Sequence, residues 1–134
     1  QLIGGLKMNI SRNFLVIGSL YLLVGVALGT YMGGSGDHTL TGVHAHINLL
    51  GFVLMSIFGL IYRAFPAMAG RVLGKIHFWV HQVAVLIFMV VLYLLLSRTA
   101  AEEDLGPVLA LVTISVTLAT AVFAWNLYRN GKEA

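Results

Sequence analysis

Four long apolar segments, separated by short polar stretches, most constrain how this chain can fold. They cover roughly residues 14–32, 40–65, 76–96 and 107–128. Each is close to the ~20 apolar residues that an α-helix needs to cross a bilayer core. Of the 134 residues, 59% are hydrophobic and only 10% are charged, against about 25% in an average soluble domain. The sequence therefore predicts an all-α integral membrane protein, in which residues 1–134 form a single four-transmembrane-helix bundle in contact with the lipid bilayer.

The charged residues indicate an orientation. Arg98 falls on the same side of a four-helix topology as the acidic residues Asp37, Glu102, Glu103 and Asp104. Cytoplasmic loops are enriched in Lys and Arg, so we expect both termini in the cytoplasm and a multi-pass protein of the cell inner membrane. These positions follow membrane topology, and no nucleic-acid partner is expected. The other seven of the eight basic residues share the opposite side: Lys7, Arg12, Arg63, Arg71, Lys75, Arg129 and Lys132.

Polar residues and a proline predict where the helices begin. Ser11 or Asn13 could cap the first helix, and Thr39 or Thr41 the second. Pro107 is expected in the first turn of the fourth helix. Aromatic residues near the ends of the apolar segments are expected to anchor the helices at the membrane interface; they are Tyr62, Trp79, Trp125 and Tyr128.

A ladder of small residues marks the first segment. Gly25, Gly29 and Gly33 recur every four residues, a spacing that lets another helix approach closely. The partner helix could belong to the same chain or to a second copy.

Two pairs of histidines lie inside the apolar segments. Ionisable side chains are costly in hydrocarbon and usually serve a function there. Neutral imidazole is also a common ligand for haem iron and other metals. His77 and His81, four residues apart, share one helix face and are candidate ligands for copper or zinc, or for a second haem. The alternative is two buried histidines hydrogen-bonded within the bundle.

His44 and His46 have a different relationship. Two residues apart, they differ by about 200° around a helix and by about 3 Å along it, so they cannot hold one iron together. The alternative to a ligand role is hydrogen bonding to backbone carbonyls or to Asn48, which lies one turn beyond His44 on its face. The first and fourth segments contain no histidine, and the one candidate partner at a matching depth in the same chain is His38, in the loop before the second segment. A second ligand for either histidine would come most simply from another copy of the chain.

The run His44-Ala-His46-Ile-Asn48-Leu-Leu-Gly51-Phe-Val-Leu-Met55, continuing through Phe58-Gly-Leu-Ile-Tyr62 to Pro66, resembles the tenth helix of the haem-copper oxidase superfamily. It is most similar to the C-type oxidases and the nitric oxide reductases. The following His77-Phe78-Trp79 resembles the start of their eleventh helix. The resemblance covers roughly residues 37–95. The whole chain is similar in layout to one four-helix arc, helices nine to twelve, of the catalytic subunit.

The resemblance implies specific roles. In that family the first histidine of the pair ligates a high-spin haem and the second a low-spin haem, on opposite sides of one helix. The family's catalytic subunit contains three such arcs. We therefore expect a homo-oligomer, with a homotrimer favoured, in which His44 of one copy and His46 of its neighbour share a haem b. Asn48 belongs to the same expected cofactor site. Arg98 resembles the arginines that bind haem propionates, although it could equally balance the nearby acidic residues.

The expected function is that of a membrane b-type cytochrome, used for electron transfer or redox sensing with an unidentified redox partner. Catalysis is not expected, because no residues replace the family's copper or non-haem iron ligands and bis-histidine iron has no open coordination position. Three alternatives remain open. They are an oxygen- or nitric oxide-binding or reducing haem protein, a haem- or copper-handling protein, and a cofactor-free relative that acts in assembly.

Overall fold

The structure, a computed structural model, describes residues 7–132. Within that range it contains four helices long and apolar enough to cross a membrane, as the sequence predicts, and no strand. We call them the first to fourth helices: Ile10–Ser35, Thr41–Ala64, Val72–Leu96 and Glu102–Asn130. A short helix, Pro66–Ala69, connects the second to the third.

The first helix begins earlier than predicted. Its cap is Asn9, whose side-chain oxygen accepts a hydrogen bond from the backbone amide of Arg12 at 2.9 Å. The prediction of Ser11 or Asn13 as the cap is wrong, because both lie inside the helix. Ser11 instead donates its hydroxyl to the carbonyl oxygen of Gly59 at 2.8 Å. That hydrogen bond joins the first helix to the second.

The second and fourth helices also begin differently. Neither predicted threonine caps the second helix, which begins at Thr41 without a side-chain cap. Thr39 bonds to the Asp37 carboxylate through both its amide and its hydroxyl. The fourth helix begins at Glu102, so Pro107 lies inside the helix and not in its first turn. The acidic residues at that N-terminus interact favourably with the helix dipole.

The second helix is interrupted by a π-helical segment, Ile47–Val53. The amide of Leu54 bonds to the carbonyl of Leu49, five residues earlier, where an α-helix would use the residue four earlier. Such segments occur frequently at functional sites. This one begins directly after His46 and separates the histidine-bearing part of the helix from its second half.

The four helices run in alternating directions, so the molecule has two ends of opposite charge. The seven basic residues named above mark the basic end, and Asp37, Glu102, Glu103 and Asp104 mark the acidic end. The first helix packs mainly on the second and the third mainly on the fourth. All four helices contribute aromatic rings to a core in the basic half. These rings are Phe14, Phe58, Phe78 and Phe123.

Candidate functional site

The five histidines lie in three places: two pairs at separate sites in the bundle and one residue in a loop. His44 and His46 are half-buried near the start of the second helix, in the acidic half. His77 and His81 are completely buried in the third helix, within the aromatic core of the basic half. His38 is exposed in the loop before the second helix. The sequence-predicted site residues are therefore not brought into a single cluster.

His44 is held against the first helix. Its Nδ1 lies 2.9 Å from the carbonyl oxygen of Gly25. A Cβ atom at Gly29 would lie 2.8 Å from the Cε1 of His44, which is closer than side-chain atoms approach one another. The imidazole can occupy this position only because Gly29 has no side chain. Gly25 and Gly29 of the ladder thus contact the second helix of the same chain. No atom of the described residues lies within 4 Å of a Cβ placed at Gly33.

Asn48 shares the surface beside His44. Its Nδ2 lies 3.4 Å from both ring nitrogens of His44. A Cβ at Gly25 would overlap the side-chain oxygen of Asn48. That oxygen is buried and has no hydrogen-bond partner among residues 7–132. Asn48 therefore belongs to the immediate surroundings of His44, and its side-chain oxygen can accept a hydrogen bond from a further group.

His46 faces a different neighbour. Its Nδ1 lies 2.7 Å from the carbonyl oxygen of Gly42, one turn earlier in the same helix. Its ring packs on Phe88 of the third helix, with the ring centroids 5.1 Å apart. His44 contacts the first helix and His46 the third. The two imidazoles thus lie on different sides of the second helix, in agreement with their expected angular separation.

The two hydrogen bonds assign the same tautomer to both rings. A backbone carbonyl can only accept, so each Nδ1 carries the proton and donates it. In the neutral imidazole the lone pair is then on Nε2. Metal-bound histidines almost always have this arrangement, with the second ring nitrogen donating to a carbonyl or carboxylate. The donor chemistry fits haem iron, with one imidazole on each side of the helix, and Nδ2 of Asn48 lies 3.4 Å from Nε2 of His44.

Arg98 lies in the exposed turn that follows the third helix. Its backbone has a φ of 57°, the left-handed conformation in which helices commonly end. Its amide bonds to the carbonyl of Leu95 at 3.1 Å, which closes that turn. The backbone of Arg98 thus forms the turn that ends the third helix. Binding of a haem propionate by its side chain stays a prediction.

His77 and His81 lie side by side, with ring centroids 5.9 Å apart. Nδ1 of His77 is 2.8 Å from the hydroxyl of Tyr62, and Nε2 of His81 is 3.3 Å from the carbonyl oxygen of Leu50. Nε2 of His77 and Nδ1 of His81 are buried, and neither has a hydrogen-bond partner within the described part of the chain. Within residues 7–132, no group of three His, Cys, Asp or Glu side chains could hold a metal ion. One nitrogen of each ring therefore takes part in a hydrogen bond within the bundle, as the alternative to a metal site predicts.

Tyr62 is the functional candidate that sequence reasoning missed. We expected an interfacial anchor, but the side chain is 1% exposed and hydrogen-bonded to His77. The prediction fails because the second helix turns this residue towards the third helix. By contrast, Trp79, Trp125 and Tyr128 are 57%, 53% and 81% exposed, as interfacial anchors require. The available signal in the sequence was the spacing to Phe58, which lies four residues before Tyr62 on the same helix face.

No protein-family model, curated protein or solved structure matches this chain. The resemblance of residues 37–95 therefore depends on sequence motifs alone. The structure itself establishes an all-helical fold with four helices suited to a bilayer.

Proposed function

We propose that this protein is a membrane b-type cytochrome in which haem iron is ligated by His44 of one copy and His46 of the next. One observation carries the proposal. Both histidines donate Nδ1–H to a backbone carbonyl, Gly25 for His44 and Gly42 for His46, so the lone pair of each ring is on Nε2. At His44 the Asn48 amide, 3.4 Å from Nε2, would have to turn away when iron binds. The bound haem would supply one-electron chemistry, for electron transfer or redox sensing.

The placement of the two rings supports the assembly. Because His44 and His46 face different sides of one helix, a single copy does not present both to one iron. A contact between two different surfaces of the same chain is heterologous, and repeated contacts of this kind close into a ring. A ring of three copies would contain three equivalent haem sites. Asn48, with its unpartnered side-chain oxygen beside His44, lines the proposed pocket.

The charge distribution supports the proposed orientation. Seven of the eight basic residues lie at one end of the helices. By the positive-inside rule this end faces the cytoplasm, so both termini are cytoplasmic and the haem sites lie nearer the outer face of the inner membrane. Arg98, at the acidic end, is the candidate partner of the haem propionates.

The first experiment is the absorption spectrum of the purified protein, oxidised and dithionite-reduced, with and without carbon monoxide. We expect a sharp low-spin b-type spectrum that carbon monoxide does not change, because both axial positions are filled. His44→Ala and His46→Ala should each weaken or abolish it. The exposed residue His38 offers a matched control, and His38→Ala should leave the spectrum unchanged.

Co-expression of the two variants tests ligation between copies. In an assembly of His44→Ala and His46→Ala chains, about a quarter of the interfaces combine an intact His44 with an intact His46, assuming random mixing in a ring. Partial recovery of the low-spin spectrum is therefore expected. Ligation within one chain predicts no recovery at all.

Other results would redirect the assignment. A carbon monoxide shift in the wild-type spectrum would indicate an open coordination position and a gas-binding or catalytic haem. Weak and exchangeable haem would indicate a haem-handling protein. A colourless protein from haem-replete cells would exclude the haem proposal.

A further inference from the structure

The proposed haem site leaves the buried histidines of the third helix without a role. His77 and His81 are both 0% exposed. The ring of Phe58 lies nearly perpendicular to both, with centroid distances of 4.4 Å and 5.3 Å. One nitrogen of each imidazole has no hydrogen-bond partner among the residues that the structure describes. Two unpartnered polar atoms in one apolar core are costly, and a hydrogen-bonded arrangement that satisfies both would remove that cost.

The proton position on His81 follows from its partner. The carbonyl oxygen of Leu50 can only accept, so Nε2 of His81 carries the proton and donates it. The unpartnered Nδ1 of the neutral ring is therefore an acceptor. Leu50 lies within the π-helical segment of the second helix.

The complementary group is on His77. When the hydroxyl of Tyr62 donates to Nδ1 of His77, the remaining Nε2 of His77 carries a proton and is an unpartnered donor. An unpartnered donor and an unpartnered acceptor then belong to neighbouring rings. They make no direct hydrogen bond, and the two ring centroids are 5.9 Å apart; one water between the rings would satisfy both atoms, as buried waters typically do.

Tyr62 connects this pair to a pocket at the basic end. The pocket has a volume of about 390 Å³, and its lining includes Tyr62, Ser11, Arg63 and Lys7. Its polar and charged lining, at the end of the bundle, is suited to water. Tyr62 therefore lies between this pocket and His77, to which it is hydrogen-bonded.

We propose that Tyr62, His77, one bridging water and His81 form a proton relay from the basic end to the middle of the bundle. A proton from pocket water reaches the Tyr62 oxygen as the hydroxyl proton passes to Nδ1 of His77. The Nε2 proton of His77 passes to the bridging water, and a proton of that water passes to Nδ1 of His81. The net result is one proton gained by His81, whose Nε2–H still donates to Leu50.

The surroundings make the relay specific. Phe14 of the first helix and Phe123 of the fourth pack on His77, and Phe58 packs on both rings. From the second helix the titratable group is Tyr62. From the fourth helix the buried polar group is Asn126, which donates to the carbonyl of Met68. The charged groups of the pocket are Lys7 and Arg63. Among these residues, only Tyr62 offers His77 an exchangeable proton.

The test is nitrogen NMR of the full chain, labelled with ¹⁵N-histidine in lipid nanodiscs. His77→Gln and His81→Gln assign the signals. The relay requires the Nε2–H tautomer at both rings and magnetisation transfer from water to both. A proton on Nδ1 of His77 would leave two lone pairs facing each other and overturn the relay. Simultaneous shifts of the ¹⁵N signals of both rings on adding one equivalent of zinc would also overturn the relay, because they would indicate a metal site instead.

Tyr62→Phe tests the entrance to the relay. We expect proton exchange between water and His81 to slow at least tenfold, while the far-ultraviolet circular dichroism shows an intact helical fold. Tyr21→Phe is the matched control, because Tyr21 also lies in a long helix but packs against Gly51 and not against the histidines. Unchanged exchange at His81 in Tyr62→Phe would overturn the proposal. None of these measurements requires haem, so their failure is separable from that of the proposed cytochrome.

Discussion

Nδ1 of His44 lies 2.9 Å from the carbonyl oxygen of Gly25, which belongs to the neighbouring helix. This hydrogen bond sets the tautomer of the imidazole from the backbone of a different helix. No side-chain substitution removes the carbonyl. The orientation of His44 therefore depends on how closely the first and second helices approach, and the glycines at their contact control that distance.

Gly29→Ala should disturb the His44 ring. The new methyl group would lie 2.8 Å from Cε1 of His44, so the ring or the first helix must shift. We expect a loss of about 1–3 kcal/mol of stability, typical of overpacked sites, together with a weakened low-spin spectrum. Gly33→Ala is the control, because nothing lies within 4 Å of its Cβ position. Equal effects of the two substitutions would contradict this account.

Tyr62→Phe should destabilise the folded protein. It removes the partner of Nδ1 of His77 and leaves that buried nitrogen unsatisfied. We expect a loss of about 1–2 kcal/mol, as for hydrogen bonds inside helical membrane proteins, measured by denaturant unfolding in detergent. Tyr31→Phe, at a tyrosine that is 55% exposed, should have no effect. A Tyr62→Phe protein as stable as the wild type would show that the hydrogen bond contributes nothing net.

The loop before the second helix offers a prediction about pH. The pKa of Asp37 is held below its usual value of 3.8, chiefly by the hydroxyl and amide of Thr39. Because the folded pKa is lowered, these bonds stabilise the folded loop above the usual pKa. That contribution is lost as the pH falls through the lowered pKa.

Thr39→Val removes the hydroxyl donor, and we expect the pKa of Asp37 to rise towards 3.8. A carboxyl-carbon NMR titration measures it directly. Ser35→Ala is the control, because Ser35 bonds to the amide of Asp37 and not to its carboxylate. A pKa that does not move in Thr39→Val would assign the shift to another cause.

Cysteine labelling tests the orientation. The chain contains no cysteine, so single substitutions carry no background. In intact cells, a membrane-impermeant maleimide should label Glu103→Cys at the acidic end and leave Lys132→Cys unlabelled. Both side chains are exposed, and permeabilised cells should label both equally. The reverse pattern would invert the proposed topology.

Much of the architecture could be predicted because it follows from local sequence. The four long helices follow from segment length and apolarity, and the different directions of His44 and His46 follow from helical geometry. The contacts that define both sites could not be predicted in the same way. The glycine ladder predicted that another helix approaches closely at Gly29, but it did not predict that the His44 ring fills the space there. The bond from Tyr62 to His77 joins residues fifteen apart, and only the packing of two helices determines it.

The helix starts show the same limit. Asn9 is a standard capping residue, but the apolar pattern begins five residues later, at Phe14. Periodicity therefore placed the boundary too far into the chain. In the fourth helix the acidic turn from Glu102 is helical although it is polar, so hydropathy alone could not include it.

The π-helical segment Ile47–Val53 also bears on how the chain tolerates changes in length. A π turn is equivalent to one residue inserted into an α-helix. Deleting a single residue there would therefore restore continuous α-helical geometry and leave the two halves of the second helix facing nearly as they do now. A one-residue deletion in the regular α-helix between Leu54 and Tyr62 would instead rotate one half by about 100° relative to the other, and His44 and Tyr62 could then not both keep their present neighbours. The π turn is thus the place where the second helix can lose one residue with both histidine sites still in contact with their partners.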